Sequence, residues 1–204
     1  MLNRREIEEL IRDKELVSGF IDLDKQLTPN GFDLTVESIF EFDAQGALDF
    51  SNKERVVPKG KALSARKIKA EDKFGTSTRL SADGESFDSA QDASKDAEQA
   101  EAQSRTIGWW ELKKGGYKVR TNEVVNLSND LTALAFARTS LLRIGGFTQH
   151  GVWDAGFRGK GEFILIVENP NGLRIKQNAR IAQLIFLPIK EIDKGYEGIY
   201  KERK

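Results

Sequence analysis

An all-β barrel or jelly roll with one short N-terminal helix is the fold class that this chain predicts. Three observations carry it. Apolar and polar residues alternate in short stretches, turns containing Gly, Asn or Pro separate those stretches, and only the N-terminal segment repeats its apolar residues at helical spacing. With 204 residues and 39% hydrophobic content, one ordinary core can form, so a single domain over residues 1–204 is expected.

Asn3 and Glu6 have the spacing of a capping box, and Ile7, Leu10 and Ile11 share one face, so residues 3–13 read as an amphipathic helix. Its Glu6, Glu8 and Glu9 sit in the early turns, where the helix dipole favours acids. After the turn Pro29-Asn30-Gly31, Phe32, Leu34 and Val36 alternate with Asp33 and Thr35 in a strand running toward Phe42. Turn material recurs at Ala44 to Gly46, at Ser51-Asn52 and at Pro58-Lys59-Gly60. From Lys69 to Arg105 the chain turns to Ser, Ala, Asp, Glu and Gln, with hardly any large apolar residue after Phe87. Such a segment buries too little to offset its ordering entropy, and 69–105 is expected to be a flexible acidic insertion. Strands resume around Tyr117 to Asn126, with Gly115-Gly116 as a hairpin-turn candidate, and at Leu131 to Ala137 and Gly161 to Glu168. Asn169 to Gly172 reads as a turn, followed by strands at Leu173 to Ile175 and Ile181 to Ile189.

Lys plus Arg equals Asp plus Glu at 32 each, so no global charge points to nucleic acid or a membrane surface as partner, and any anion binding must be local. The absence of Cys excludes disulfides, thiolate zinc sites and cysteine nucleophiles, and a single His makes a histidine-rich zinc site implausible. No apolar run approaches the roughly 20 residues of a spanning helix, and a cytoplasmic enzyme is the expected class.

The most informative stretch is RTSLLRIGGFTQHGVWDAGFRG, Arg138 to Gly159. It opens with a guanidinium fork and two hydroxyls at Arg138, Thr139 and Ser140, adds a second cation at Arg143, and ends in a turn that carries Asp154. The layout suggests a triphosphate-binding half and a carboxylate half with a water to attack. Taken locally, RTSLLR reads first as an exposed strand-to-helix junction with an ST-turn, and Asp154 first as a turn former.

GVWDAGFRG resembles the third motif of the trimeric dUTPase and dCTP deaminase superfamily, nearest its archaeal-type dUTPases. NGFDL (30–34) resembles the first motif, RTSL (138–141) the second, NARIAQLI (178–185) the fourth, and GYEGIY (195–200) the C-terminal closing segment. Five ordered matches cover most of the chain. The resemblance implies a distorted jelly roll that forms a homotrimer with active sites between subunits, and a Mg²⁺ held mainly by the triphosphate with no direct protein ligand. It implies that Asp33 organises the site, that Gly151, Val152 and Trp153 form the hairpin arm that meets the base, and that Phe157 lies where a ring floors the deoxyribose. Gln183 is expected to have a phosphate or a neighbouring strand as partner, Arg180 to make subunit or phosphate contacts, and Tyr196 and Tyr200 to belong to the closing tail.

Two reactions occur in this superfamily. The deaminases carry a catalytic Glu ten positions after the third-motif Asp, and here that position is Ile164. The spacing from Arg138 to Asp154 also matches the hydrolases. Glu162 lies on the same strand face as Ile164 but about 7 Å along it. The expected function is therefore dUTP diphosphatase, with Asp154 activating water for attack on the α-phosphate. A dCTP deaminase, alone or bifunctional, and a nucleotide-responsive regulatory protein are the alternatives.

Overall fold

The computed structural model describes residues 1–66 and 108–200. Helix α1 (Arg4–Lys14) is capped as its sequence predicts: Asn3 accepts the Glu6 N–H, and the Glu6 carboxylate accepts the Asn3 N–H. Glu15 ends it in a left-handed conformation, with cap bonds to the Leu10 and Ile11 carbonyls. Ile7 and Ile11 point into the core, and each buried Ile stabilises the docked helix by about 1.5–3 kcal/mol.

Strand β1 (Val17–Ser18), helix α2 (Leu23–Gln26) and β2 (Leu27–Thr28) lead into the long β3 (Gly31–Glu41). After β4 (Lys61–Ala62) come β5 (Trp109–Leu112), β6 (Gly115–Asn126) and β7 (Leu131–Ala137). The short helix α3 (Thr139–Arg143), β8 (Gly146–Gln149), β9 (Arg158–Val167), β10 (Leu173–Lys176) and β11 (Arg180–Pro188) complete the described chain. The main sheet has the order β7-β11-β3-β6-β9-β8, with β1 on β6 and β2 and β4 on β3. Its pairings are antiparallel, and β5 and β10 form a separate ribbon. The sheet curls so that its outer strands, β7 and β8, meet near α3. The fold is all-β, as expected.

β3 runs through the middle of this sheet, and residues 31–36 are buried without a break. Phe32 and Leu34 pack with Ile7, Trp153, Leu184 and Phe186 in one core cluster, and Val36 and Ile39 with Val119, Phe163, Leu165 and Ile181 in a second. The alternation of this strand therefore does not separate a core face from a solvent face. Asp33 and Thr35 are as buried as their apolar neighbours, although strand alternation alone would turn them toward solvent.

Gly115-Gly116 is not a turn. Both residues lie inside β6, opposite Val167 and Ile166, because β5 pairs with β10 and leaves β6 to β9. Helix α2 and strand β8 were not legible. In β8 the inward residues are Gly146 and Thr148 while Phe147 faces out, so it lacks the apolar alternation that marks a strand. The expected insertion at 69–105 lies outside the described residues.

The predicted turn at Asn169 to Gly172 forms, with the Asn169 side chain accepting the Asn171 N–H and the Asn169 carbonyl accepting the Gly172 N–H. Gly172 has φ 78°, and a Cβ there would sit 2.4 Å from the Leu112 carbonyl oxygen. Gly172→Ala is expected to cost about 1–3 kcal/mol, read as a lower urea midpoint. An unchanged midpoint would mean that the β5–β10 ribbon yields freely.

Candidate active site

The register of three strands assembles one cluster. β11 pairs with β3 so that Gln183 faces Asp33, and with β7 so that Ala182 faces Ala137, the residue before Arg138. Arg138 and Arg180 thus converge on the Asp33 carboxylate, with Arg138 Nε at 2.9 Å and Arg180 Nη1 at 3.3 Å from Oδ2. The Asp33 side chain is 3% exposed, whereas those of Arg138 and Arg180 are 28% and 37% exposed. Burial pushes the Asp33 carboxyl above its ordinary value, and the two guanidiniums pull it back without fully offsetting that effect. One carboxylate therefore anchors two guanidinium groups that still present donors to solvent, an arrangement suited to phosphate oxygens.

Thr139, Ser140 and Arg143 lie exposed on α3 immediately beyond Arg138. The strand-to-helix junction expected as the bland reading of RTSLLR is real, and it holds both hydroxyls beside the arginine cluster. Gln183 donates from its amide to the Thr28 hydroxyl at 2.7 Å, so a neighbouring strand is its partner here.

Asp154 belongs to a second cluster. Trp153 exchanges two backbone hydrogen bonds with Ala133 and accepts a third from the Thr132 hydroxyl, which leaves Gly151 and Val152 as the exposed part of the arm. Asp154 itself is exposed. Phe157 sits edge-on to Trp153 at 5.3 Å and contacts the Tyr196 ring at 5.6 Å. The Tyr196 N–H donates to the Ala155 carbonyl at 2.7 Å. Gly156 and Gly195 approach so closely that a Cβ on Gly156 would lie 2.7 Å from the Gly195 Cα. The segment containing Tyr196 is thus laid over the turn after Asp154 in its own chain, and half-buried Tyr200 follows at the end of the described residues.

These two clusters stand at opposite ends of β7. Trp153 bridges Ala133 in an antiparallel sense, and Arg138 comes five residues later, which is roughly 17 Å along a strand. Asp154 lies on the Thr132 side of the bridge and so further away still. That gap is several times the reach of a hydrogen bond or of one bridging water. Within one chain the Arg138 and Asp154 halves are not brought together.

On β9, Glu162 and Ile164 share the outer face and stand opposite Arg120 and Lys118. The register from Glu162 to Val167 is regular, so no bulge in that run shifts Glu162 toward the position of Ile164. The sequence reading missed Glu123, which is fully buried. A signal was present: Arg120-Thr121-Asn122-Glu123 puts four polar residues in succession where a strand should alternate.

Fold and sequence define a class. Residues 68–189 match the dCTP deaminase-like family. The chain belongs to this family, which agrees with the dUTPase and dCTP deaminase superfamily that its motifs resemble. Over 203 residues it is 36% identical to a probable deoxyuridine 5'-triphosphate nucleotidohydrolase of Methanosarcina barkeri, covering 98% of this chain and 96% of the relative. A protein of the same description from Archaeoglobus fulgidus is 33% identical over 201 residues, covering 98% and 95%. Among solved structures, the 2'-deoxycytidine 5'-triphosphate deaminase of Agrobacterium tumefaciens shares the fold, with a TM-score of 0.55 at 16% identity. That match covers 91% of this chain and 46% of the deaminase chain.

His150, just before the Gly151–Trp153 arm, packs against the Phe163 ring at 4.2 Å with the rings tilted and bonds Thr148 Oγ1 through Nε2 at 2.8 Å, while its buried Nδ1 has no partner among the described residues. Burial lowers its pKa from 6.5 to about 4. The folded state therefore resists a proton that the unfolded chain accepts below about pH 6.5. The resulting stability is present above that pH and is lost as pH falls through about 4. His150→Phe removes this dependence. Between pH 7 and pH 4 wild type should lose up to about 3 kcal/mol more than the variant in urea unfolding, and parallel losses would refute the assignment.

Proposed function

We propose that the chain is a dUTP diphosphatase, a cytoplasmic enzyme of nucleotide metabolism that cleaves dUTP to dUMP and pyrophosphate as a homotrimer with Mg²⁺. The observation that carries this reading is the Asp33-anchored arginine pair beside Thr139 and Ser140, in a chain that resembles archaeal dUTP nucleotidohydrolases along nearly its whole length.

Arg138 and Arg180 take the triphosphate oxygens, assisted by the Thr139 and Ser140 hydroxyls and by Arg143. The exposed backbone of Gly151 and Val152 meets the uracil edge, with Trp153 fixing the arm to β7. Phe157 offers an apolar floor under the deoxyribose, and the segment with Tyr196 and Tyr200 closes over the nucleotide. Asp154 accepts the proton of the water that attacks the α-phosphorus, and the bond to the bridging oxygen breaks to release pyrophosphate. In this reading the metal arrives on the triphosphate, and exposed Asp154 is the carboxylate of the site that would stand near it. When bound, Mg²⁺ neutralises charge on the leaving pyrophosphate.

Separation of the halves along β7 favours completion of each site by another copy. Exposed Phe136, Leu142 and Val152, at 56%, 53% and 63%, are apolar groups that self-association would cover. Deamination of dCTP is the competing reaction, and the outward, regular placement of Glu162 opposite Arg120 disfavours it.

Purified protein with Mg²⁺ and each of dUTP, dCTP, dTTP and UTP should yield dUMP and pyrophosphate from dUTP, and no deaminated product from dCTP. Deaminated product abolished by Glu162→Gln would make the enzyme bifunctional. Asp154→Asn should keep nucleotide binding and lower turnover by roughly 10² to 10⁴. Near-normal turnover in that variant would remove Asp154 from the mechanism.

A further inference from the structure

Three residues of β6, Thr121 to Glu123, stand opposite the single Gly161 of β9. The Thr121 hydroxyl fills the bulge, accepting the Gly161 N–H at 3.0 Å and donating to the Glu123 carbonyl at 3.1 Å. Such a bulge re-aims side chains, and this one drives a carboxyl group into the interior, 0% exposed. Glu123 Oε2 accepts the Thr35 backbone N–H at 3.0 Å, and Oε1 accepts the Thr35 hydroxyl and the Gln26 amide, the latter at 2.7 Å.

These partners surround Asp33. The Gln26 amide also donates to the Asp33 carbonyl at 2.8 Å, while its oxygen accepts the Ile21 and Asp22 N–H groups. Neighbouring Asn122 donates to Thr35 Oγ1 at 2.9 Å and to Asn178 Oδ1 at 3.1 Å. Asn178 is itself left-handed at φ 67°, two residues before Arg180, and its N–H donates to the Val36 carbonyl. The bulge thus holds β3 from the Asp33 carbonyl to Thr35, and through Asn122 it also holds the chain that delivers Arg180. Among the described residues no cation pairs with this buried carboxyl group, which is costly, and packing alone would be met as well by an apolar side chain.

We propose that Glu123 is a positioning residue of the anion site, fixing Asp33 and Arg180 through Thr35, Gln26 and the Asn122–Asn178 bond. It touches no substrate, and its consequence for dUTP hydrolysis rests on the function proposed above. Glu123→Gln conserves shape but turns an amide N–H₂ toward a backbone or side-chain donor, so β3 must shift.

The expected result is a folded variant, judged by circular dichroism, whose KM for dUTP rises about tenfold while kcat stays within about threefold of wild type. Unchanged KM, or a loss confined to kcat, overturns the proposal. Should Glu123→Gln not fold, Thr35→Val, which deletes one donor and keeps the volume, is read by the same criteria. If wild type does not hydrolyse dUTP, the functional reading fails on its own. Inorganic tripolyphosphate binding by calorimetry then decides the inference, with about tenfold weaker binding expected in the variant and equal binding overturning it.

Discussion

The burial of β3 on both faces is the constraint on which the rest depends. A strand at the centre of a curled sheet, covered by α1 and by the second core, leaves no solvent for the polar residues that its alternation would ordinarily expose. Asp33, Thr35 and their neighbours must then find partners inside the protein. Asp33 finds Arg138 from the end of β7 and Arg180 from the start of β11, and Thr35 finds Glu123 from β6. Four strands contribute to one connected set of polar contacts, and the exposed end of that set is a pair of arginines. A cationic site arises in a chain of zero formal net charge because burial of a carboxylate gathers the cations locally.

Much of this was legible. The α1 cap, the strand at β3, the turn at Asn169 to Gly172 and the strands at β9 and β11 follow from local patterns, since capping chemistry and alternation act over a few residues. Arg138, Thr139 and Ser140 were identifiable as a group because they are consecutive. What escaped depends on register. The motif of Arg180 points to a subunit or phosphate contact, and only the pairing of Ala182 with Ala137 and of Gln183 with Asp33 aims it at the carboxylate. Glu123 lies 90 positions from Asp33, and a bulge, unlike a turn, has no fixed residue signature. Gly115-Gly116 misled because a Gly pair marks a turn only when the flanking strands pair with each other.

The same register separates Asp154 from Arg138. Sharing one short stretch of sequence, they are parted by the length of β7, with Trp153 pinned at one end and α3 starting at the other. A motif order that reads as one site is, in the folded chain, two groups of residues held apart along β7. This separation is the physical argument for the reading proposed above, in which another copy completes each site.

Subunit mixing tests that claim most directly. Arg138→Gln and Asp154→Asn each disable one half-site and should be inactive alone. Co-refolded in equal amounts, they should regain dUTP hydrolysis at about a quarter of the wild-type rate per chain, the share of sites that pair an intact anion half with an intact Asp154 from another copy. A mixture as inactive as its components would contradict the account, placing both halves of each site in a single chain.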